Sequence, residues 1–286
     1  MLYETKYEKF IPSKLVVKHY FLKFMGKKLD LKNPKTFNEK LNWLKLYYHN
    51  KDLTKLVDKY ENRSEIEKII GKEYLIPLIG VYKSFDEIDF SKLPKKFVIK
   101  CNHDRGSYIV CKDKNKLNIE ETKMHINSHL NSNYFYKWRE WPYKNVKPRI
   151  IIEEYMEDKK SKCFDDYKFI CFNGKVDSVM VCTNRNNGDP HFYFFDKEWN
   201  LKKYNPNSLK KYNERLPKKP ENMDKMFSIA EKLSKGYPFV RVDLYSANSK
   251  IYFGEMTFFP QAGWDANLNE EVDLMWGNMI NLVRKK

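Results

Sequence analysis

The sequence predicts an α+β fold in which a helical region comes first and antiparallel-rich sheets follow. Apolar residues recur at helical spacing between residues 13 and 70, and after Gly71 the pattern changes to short β-branched and aromatic runs. Two of those runs flank Asn173-Gly174, the dipeptide of a tight hairpin.

Residues 13–30 set Leu15, Val16, Tyr20, Leu22 and Phe24 at helical spacing behind Ser13, a residue suited to capping, with lysines on the outer face. Such a helix either serves a core or lies with its charged side on a membrane surface. In Asn33–Tyr47, Pro34 makes a turn, Thr36 caps, and the helix buries Phe37, Leu41, Trp43 or Leu44, and Tyr48. A third helix is expected over Leu53–Ile70, closed by Gly71. Tyr74–Tyr82 is an apolar run broken by Pro77, and Phe97–Cys101 and Tyr108–Cys111 are short strands around the polar loop Asn102–Ser107. Asn118 and Glu121 open another helix, Arg149–Met156 is a strand, and Tyr167–Phe172 with Val176–Cys182 forms the hairpin. Met223–Leu233 is helical and ends at Gly236, while residues 205–220 receive no assignment.

Composition bounds the function. At 286 residues and 42% hydrophobic content, the chain can bury a core as one large domain or as two to three packed subdomains. Its formal charge of +16 favours anionic company: nucleic acid, an anionic sugar polymer, an anionic membrane surface or ATP. Coding bias toward lysine and asparagine explains the charge equally well. The lysines are spread among 38 acidic residues without a helix-turn-helix, finger or RNA-binding signature, which argues against a specific nucleic-acid partner. An uncharged apolar run of about 18 residues is absent, as is the apolar core of a secretory signal, so the expectation is a cytoplasmic protein. Cys101, Cys111, Cys163, Cys171 and Cys182 are odd in number and form no Cys-x-x-Cys; they read as reduced, strand-borne hydrophobes.

The chemistry concentrates in Phe239–Tyr245 and Lys250–Pro260, two strand-like runs. Residues two apart on a strand share a face, so Arg241 goes with Asp243 and Glu255 with Thr257. Two carboxylates and a hydroxyl on paired strands can hold magnesium, a hard ion that completes its shell with phosphate and water. An amphipathic hairpin with a solvated acidic face is the other reading. Lys100 ends an apolar strand beside the Gly106 loop, and Lys168 stands among Tyr167, Phe169, Ile170 and Phe172, where a cation needs a reason to be kept. Two such lysines with two carboxylates are the complement that phosphoryl transfer requires, although a strand-end lysine is often only solvated. The sequence contains no Gly-x-x-x-x-Gly-Lys-Ser/Thr loop, no Gly-x-Gly-x-x-Gly fingerprint and no kinase His-Arg-Asp set. Imidazole titration near neutrality makes His103 a candidate acid or base, and it reads here as a loop residue. Arg185, His191 and Trp199 read as loop or core residues before substrate contacts.

An Arg-x-Asp strand followed by a Glu-x-Thr strand resembles the end of the ATP-grasp fold, where many members have Asn at the position of Thr257. The succession Pro34–Trp43, Asp58-Lys59, Leu93–His103, Pro148–Tyr155, Asp166–Lys168, Phe172–Gly174, Arg241–Tyr245 and Tyr252–Thr257 is similar to the TupA-like ATP-grasp family, associated with bacterial surface polysaccharide and teichuronopeptide synthesis. The resemblance implies a nucleotide held between two antiparallel-rich sheets, a helical region over 1–90, a small lid subdomain over 91–148 and a metal-bearing subdomain over 149–286. It implies ATP and Mg2+ as cofactors. Lys100 and Lys168 would contact phosphates, and Glu153, Glu154, Tyr155 and Met156 would hold the adenine, with Asp166 reaching the ribose. Asp243, Glu255 and Thr257 would bind the metal. Arg241 would neutralise the transferred phosphoryl, and His103, Gly106 and Ser107 would close over the phosphates, although Asp104-Arg105 stands where small residues are associated with this loop. The implied reaction joins the carboxylate of an anionic glycan or uronic acid to an amine through an acyl phosphate, with acceptor contacts in Tyr134–Lys147 and Asn184–Asn207. A sugar kinase, a glycosyltransferase and a basic polymer-binding scaffold are the alternatives.

Overall fold

Eight α-helices and ten strands occur in the described residues 8–157, 165–183, 191–205 and 216–282 of the computed structural model. Cys163 and Arg185 lie outside them, as do residues 184–190 and 206–207 of the expected acceptor region. In chain order the helices are α1 (Ser13–Met25), α2 (Phe37–Tyr47), α3 (Asp52–Val57), α4 (Asn62–Ile70), α5 (Ile119–Leu130), α6 (Tyr134–Trp138), α7 (Met223–Ser234) and α8 (Glu270–Met279). The strands are β1 (Leu78–Tyr82), β2 (Phe97–Cys101), β3 (Ile109–Cys111), β4 (Ile150–Glu154), β5 (Asp165–Phe172), β6 (Lys175–Thr183), β7 (His191–Phe195), β8 (Leu201–Lys202), β9 (Phe239–Ala247) and β10 (Lys250–Thr257). None of the helices is long and apolar enough to cross a membrane.

The chain divides into two units, one of residues 1–10 and 50–157, the other of residues 11–49 and 158–286. The expected divisions after residues 90 and 148 fall elsewhere, because β1 pairs with β4 across both of them. The first unit holds a four-stranded antiparallel sheet ordered β1-β4-β2-β3. Alternation along β2 and β4 turns Phe97, Ile99, Cys101, Ile150 and Ile152 into a core with Ile126 of α5 and leaves Val98, Lys100, Ile151 and Glu153 on the opposite face.

The second unit holds a six-stranded antiparallel sheet ordered β10-β9-β5-β6-β7-β8. The β5–β6 connection is the expected Asn-Gly turn, with Asn173 and Gly174 at φ 50° and 80°. Phe169 meets Phe227 of α7 edge to face at 5.2 Å, and Phe37 of α2 meets Phe239 at 4.8 Å and Trp276 of α8 at 5.3 Å.

Three expectations change. In α1 the buried residues are Val16, Val17, Tyr20 and Phe21, while Leu15, Leu22 and Phe24 are exposed; the helix stops at Gly26 in the left-handed region, and Pro12 takes the cap position expected of Ser13. The single helix over Leu53–Ile70 is two helices, because Asp58 is extended and its carboxylate accepts from the N–H groups of Tyr60 and Glu61 at 2.8 and 3.2 Å. In α2, Leu44 rather than Trp43 is buried, and Thr36 and Glu39 form a complete capping box.

Candidate functional site

Register decides which polar side chains meet in the six-stranded sheet. Lys168 on β5 stands opposite Asp243 on β9; on its other side, Asp243 faces Glu255 of β10 and Arg241 faces Thr257. The second pairing depends on a bulge between Phe253 and Glu255, since Phe253 pairs with Leu244 and one extra residue then brings Glu255 opposite Asp243. Gly254 occupies the bulge, where a Cβ would lie 2.9 Å from the Tyr245 ring and 3.0 Å from the Asp243 carbonyl oxygen.

The resulting cluster is bonded throughout. Lys168 Nζ donates to Asp243 Oδ2 at 2.6 Å and lies 2.6 Å from Asp166 Oδ2. Arg241 Nε and Nη2 each donate to Asp243 at 2.7 Å, and Nη2 also reaches Glu255 Oε1 at 3.1 Å and Thr257 Oγ1 at 3.2 Å. Thr257 Oγ1 donates to Glu255 Oε1 at 3.0 Å. Asp166, Lys168, Asp243 and Thr257 are buried, whereas the Glu255 side chain is 31% exposed. Groups of three or more His, Cys, Asp or Glu arranged to hold a metal ion are absent from the described residues. Magnesium at a nucleotide takes only one or two carboxylates, the number Asp243 and Glu255 supply.

A second cluster lies on the face of the four-stranded sheet opposite its Ile126 core. Lys100 Nζ is 2.6 Å from Glu153 Oε2, and Arg63 Nη1 donates to Glu153 Oε1 at 3.2 Å. Glu154 is exposed, its N–H donating to the Pro77 carbonyl at 3.0 Å, and Tyr155 and Met156 follow half-buried beyond the end of β4.

The 102–107 loop is tied to its own surroundings. Ser107 Oγ donates to Asp104 Oδ1 at 2.6 Å and accepts from Cys101 N–H at 2.9 Å, and the other Asp104 oxygen pairs with His129 Nδ1. His103 is buried with Nε2 3.2 Å from the Ser132 carbonyl oxygen, while Gly106 is exposed at φ 94°. Burial holds the His103 imidazole below its ordinary value of 6.5. The unfolded chain therefore binds this proton more readily than the folded one, so the contribution to stability is full above about pH 6.5 and is lost as pH falls through the lowered folded-state value. Urea midpoints measured across about pH 5 to 8 should fall on acidification, and His103→Gln should flatten that fall; equal slopes in both proteins would remove His103 as its source.

The sequence profile described as TupA-like ATPgrasp matches residues 39–281, a span that takes in both clusters. The chain belongs to the TupA-like ATP-grasp family. Solved structures similar to this TupA-like ATP-grasp chain include D-alanine–D-alanine ligase from Bacillus anthracis complexed with ATP, at 14% identity and TM-score 0.44, over 80% of this chain and 65% of that one. The corresponding ligase from Helicobacter pylori gives 12% and 0.45, over 87% of this chain and 70% of that one. D-cycloserine synthetase DcsG gives 11% and 0.42, over 78% and 69%. This chain thus spans just under two thirds of the Bacillus anthracis ligase. Comparison with curated proteins yields no match.

One element of the TupA-like ATP-grasp chain acts on the segment that follows β10. Asn38, Asn42 and Lys45 of α2, spaced four and three residues apart, are all buried. Asn38 Oδ1 accepts from Asp265 N–H at 2.9 Å, Asn42 Nδ2 donates to the Gly263 carbonyl at 2.7 Å, and Lys45 Nζ donates to the Ala262 carbonyl at 2.5 Å. Lys45 Nζ also sits 3.9 Å from the centre of the Trp264 ring. The segment they hold carries Gln261, Ala262 and Gly263 at φ 48°, 51° and 74°, a left-handed run that non-glycine residues adopt only when their surroundings impose it. Sequence reasoning missed this stripe, whose signal is polar residues beside Phe37, Leu41 and Leu44 on the face expected to be apolar.

Elsewhere, two of the residues weighed as substrate contacts make contacts within their own unit. His191 is buried, Trp199 stacks on Phe195 at 4.3 Å and donates to the Pro217 carbonyl at 3.0 Å, and Phe135 and Tyr143 of the expected acceptor region are buried.

Proposed function

We propose that this chain is an ATP-dependent carboxylate–amine ligase that joins a uronic acid of a surface polysaccharide to an amino acid or small amine through an acyl phosphate. Membership of the TupA-like ATP-grasp family supports the reaction class. The observation that carries the reading is the meeting of Asp243, Glu255, Thr257, Lys168 and Arg241 across three adjacent strands, all within hydrogen-bonding distance of a neighbour. Asp243 and Glu255, with Thr257, would hold Mg2+, which when bound draws charge from the phosphates. Lys168 and Lys100 would hold the phosphates by charge-assisted hydrogen bonds, each already keeping its ammonium beside a carboxylate that an anionic ligand can replace. Arg241 would stabilise the phosphoryl in transfer and then the acyl phosphate attacked by the amine. Glu153 and the backbone of residues 154–156 would meet the adenine, and Asp166 the ribose. The net charge of +16 suits an anionic acceptor.

Incubating the protein with Mg-ATP, a uronic acid and an amine tests the reading. Phosphate release is expected to require both co-substrates and to yield an amide, and Glu255→Gln should slow it by about 100-fold. A stable phosphoester would establish a kinase instead, and consumption of a nucleotide sugar without ATP a glycosyltransferase. Salt-sensitive polymer binding with no ATP turnover would leave only a scaffold.

A further inference from the structure

Among the described residues, α1 packs through one stripe. Val16, Val17, Tyr20 and Phe21 are buried, and the Tyr20 and Phe24 rings lie 5.0 and 5.6 Å from that of Trp264, so the helix is fixed within its unit. On the opposite stripe Leu15 is 59% exposed and Leu22 49%. Seven residues apart, they stand nearly in line along the helix, with exposed Lys14 and Lys18 on one flank and exposed His19 and Lys23 on the other. Between Ile11 and Leu29 the chain has five lysines, completed by Lys27 and Lys28, and no aspartate or glutamate. Of the neighbouring acids, Asp273 lies 3.9 Å from Lys27 and offsets that lysine, and the Asp30 carboxylate, which accepts from the N–H groups of Lys32 and Asn33, follows the helix; Lys14, Lys18 and Lys23 are the lysines that flank the two leucines.

We propose that this face of α1 docks on an anionic lipid bilayer, with Leu15 and Leu22 entering the headgroup boundary and the flanking lysines meeting lipid phosphates. Charge complementarity alone admits any polyanion. A nucleic acid or free glycan makes no use of two leucines at the centre of a lysine frame, whereas the acyl boundary of a bilayer takes up such side chains. The helix needs no folding on contact, because its inner stripe is already packed. This inference does not depend on the ligase reading.

Co-sedimentation of the whole protein with phosphatidylcholine vesicles, with and without phosphatidylglycerol, tests it. Binding is expected only to the phosphatidylglycerol vesicles, and the double variant Leu15→Ser/Leu22→Ser should lose about tenfold in affinity. Lys14→Gln/Lys18→Gln/Lys23→Gln should lose at least as much, with the loss mimicked by added salt in the wild type. Both variants alter exposed positions, so unchanged circular dichroism and urea midpoints will separate lost docking from lost folding. Absence of binding to phosphatidylglycerol vesicles, or equal binding by the leucine variant, would overturn the proposal. Tighter binding of single-stranded RNA than of vesicles, indifferent to the two leucines, would do so too.

Discussion

Asp243→Ala is expected to lower the unfolding free energy by about 3 kcal/mol and to abolish Mg-ATP binding. The carboxylate is 1% exposed and receives hydrogen bonds from Lys168 and from two guanidinium nitrogens of Arg241. Removing one partner of a buried pair leaves charge without compensation, at a cost of roughly 3–5 kcal/mol. The lower figure applies because Asp166 still faces Lys168 and Glu255 still faces Arg241. Urea unfolding of the two proteins measures the first effect and titration calorimetry with Mg-ATP the second. A loss of under about 1 kcal/mol would mean that the cluster contributes to stability no more than a surface pair. Retained Mg-ATP affinity would remove Asp243 from the site.

Gly277→Ala should be comparably destabilising, by about 3 kcal/mol, although alanine is the better helix former by about 1 kcal/mol. A Cβ at this position of α8 would overlap the Lys35 carbonyl oxygen and lie 2.7 Å from the Thr36 carbonyl carbon and 2.8 Å from the Phe37 nitrogen. All three are backbone atoms at the start of α2, so relief requires one helix to move, and overpacking outweighs propensity. Because α2 also holds the Ala262 and Gly263 carbonyls, its displacement should reach the segment beyond β10 and reduce turnover along with stability. The check is a urea midpoint and an activity measurement on one preparation. An unchanged midpoint would show that the two helices can separate at little cost.

Local signals were legible where the cause is local. Thr36 as a cap, Asn118 capping Glu121 N–H, and Asn173-Gly174 act through neighbours within four residues, and each forms the element its spacing predicts. Alternation likewise paired Arg241 with Asp243 and Glu255 with Thr257, since a strand repeats every two residues whatever lies beside it. The inner face of α1 was not legible: residues 15–24 are apolar on two sides, and only packing against Trp264 selects one of them. Nor was the break at Asp58, whose carboxylate also receives a hydrogen bond from Asn102, 44 residues away.

By itself, therefore, the sequence determined the α+β class, the family and the residue types of the candidate site. Tertiary structure decided which of those residues meet, because the Gly254 bulge resets the β10 register so that Glu255 stands beside Asp243. It also brought Asn38, Asn42 and Lys45 onto backbone carbonyl and N–H groups more than 200 residues away, as they are satisfied only once the chain has closed around them.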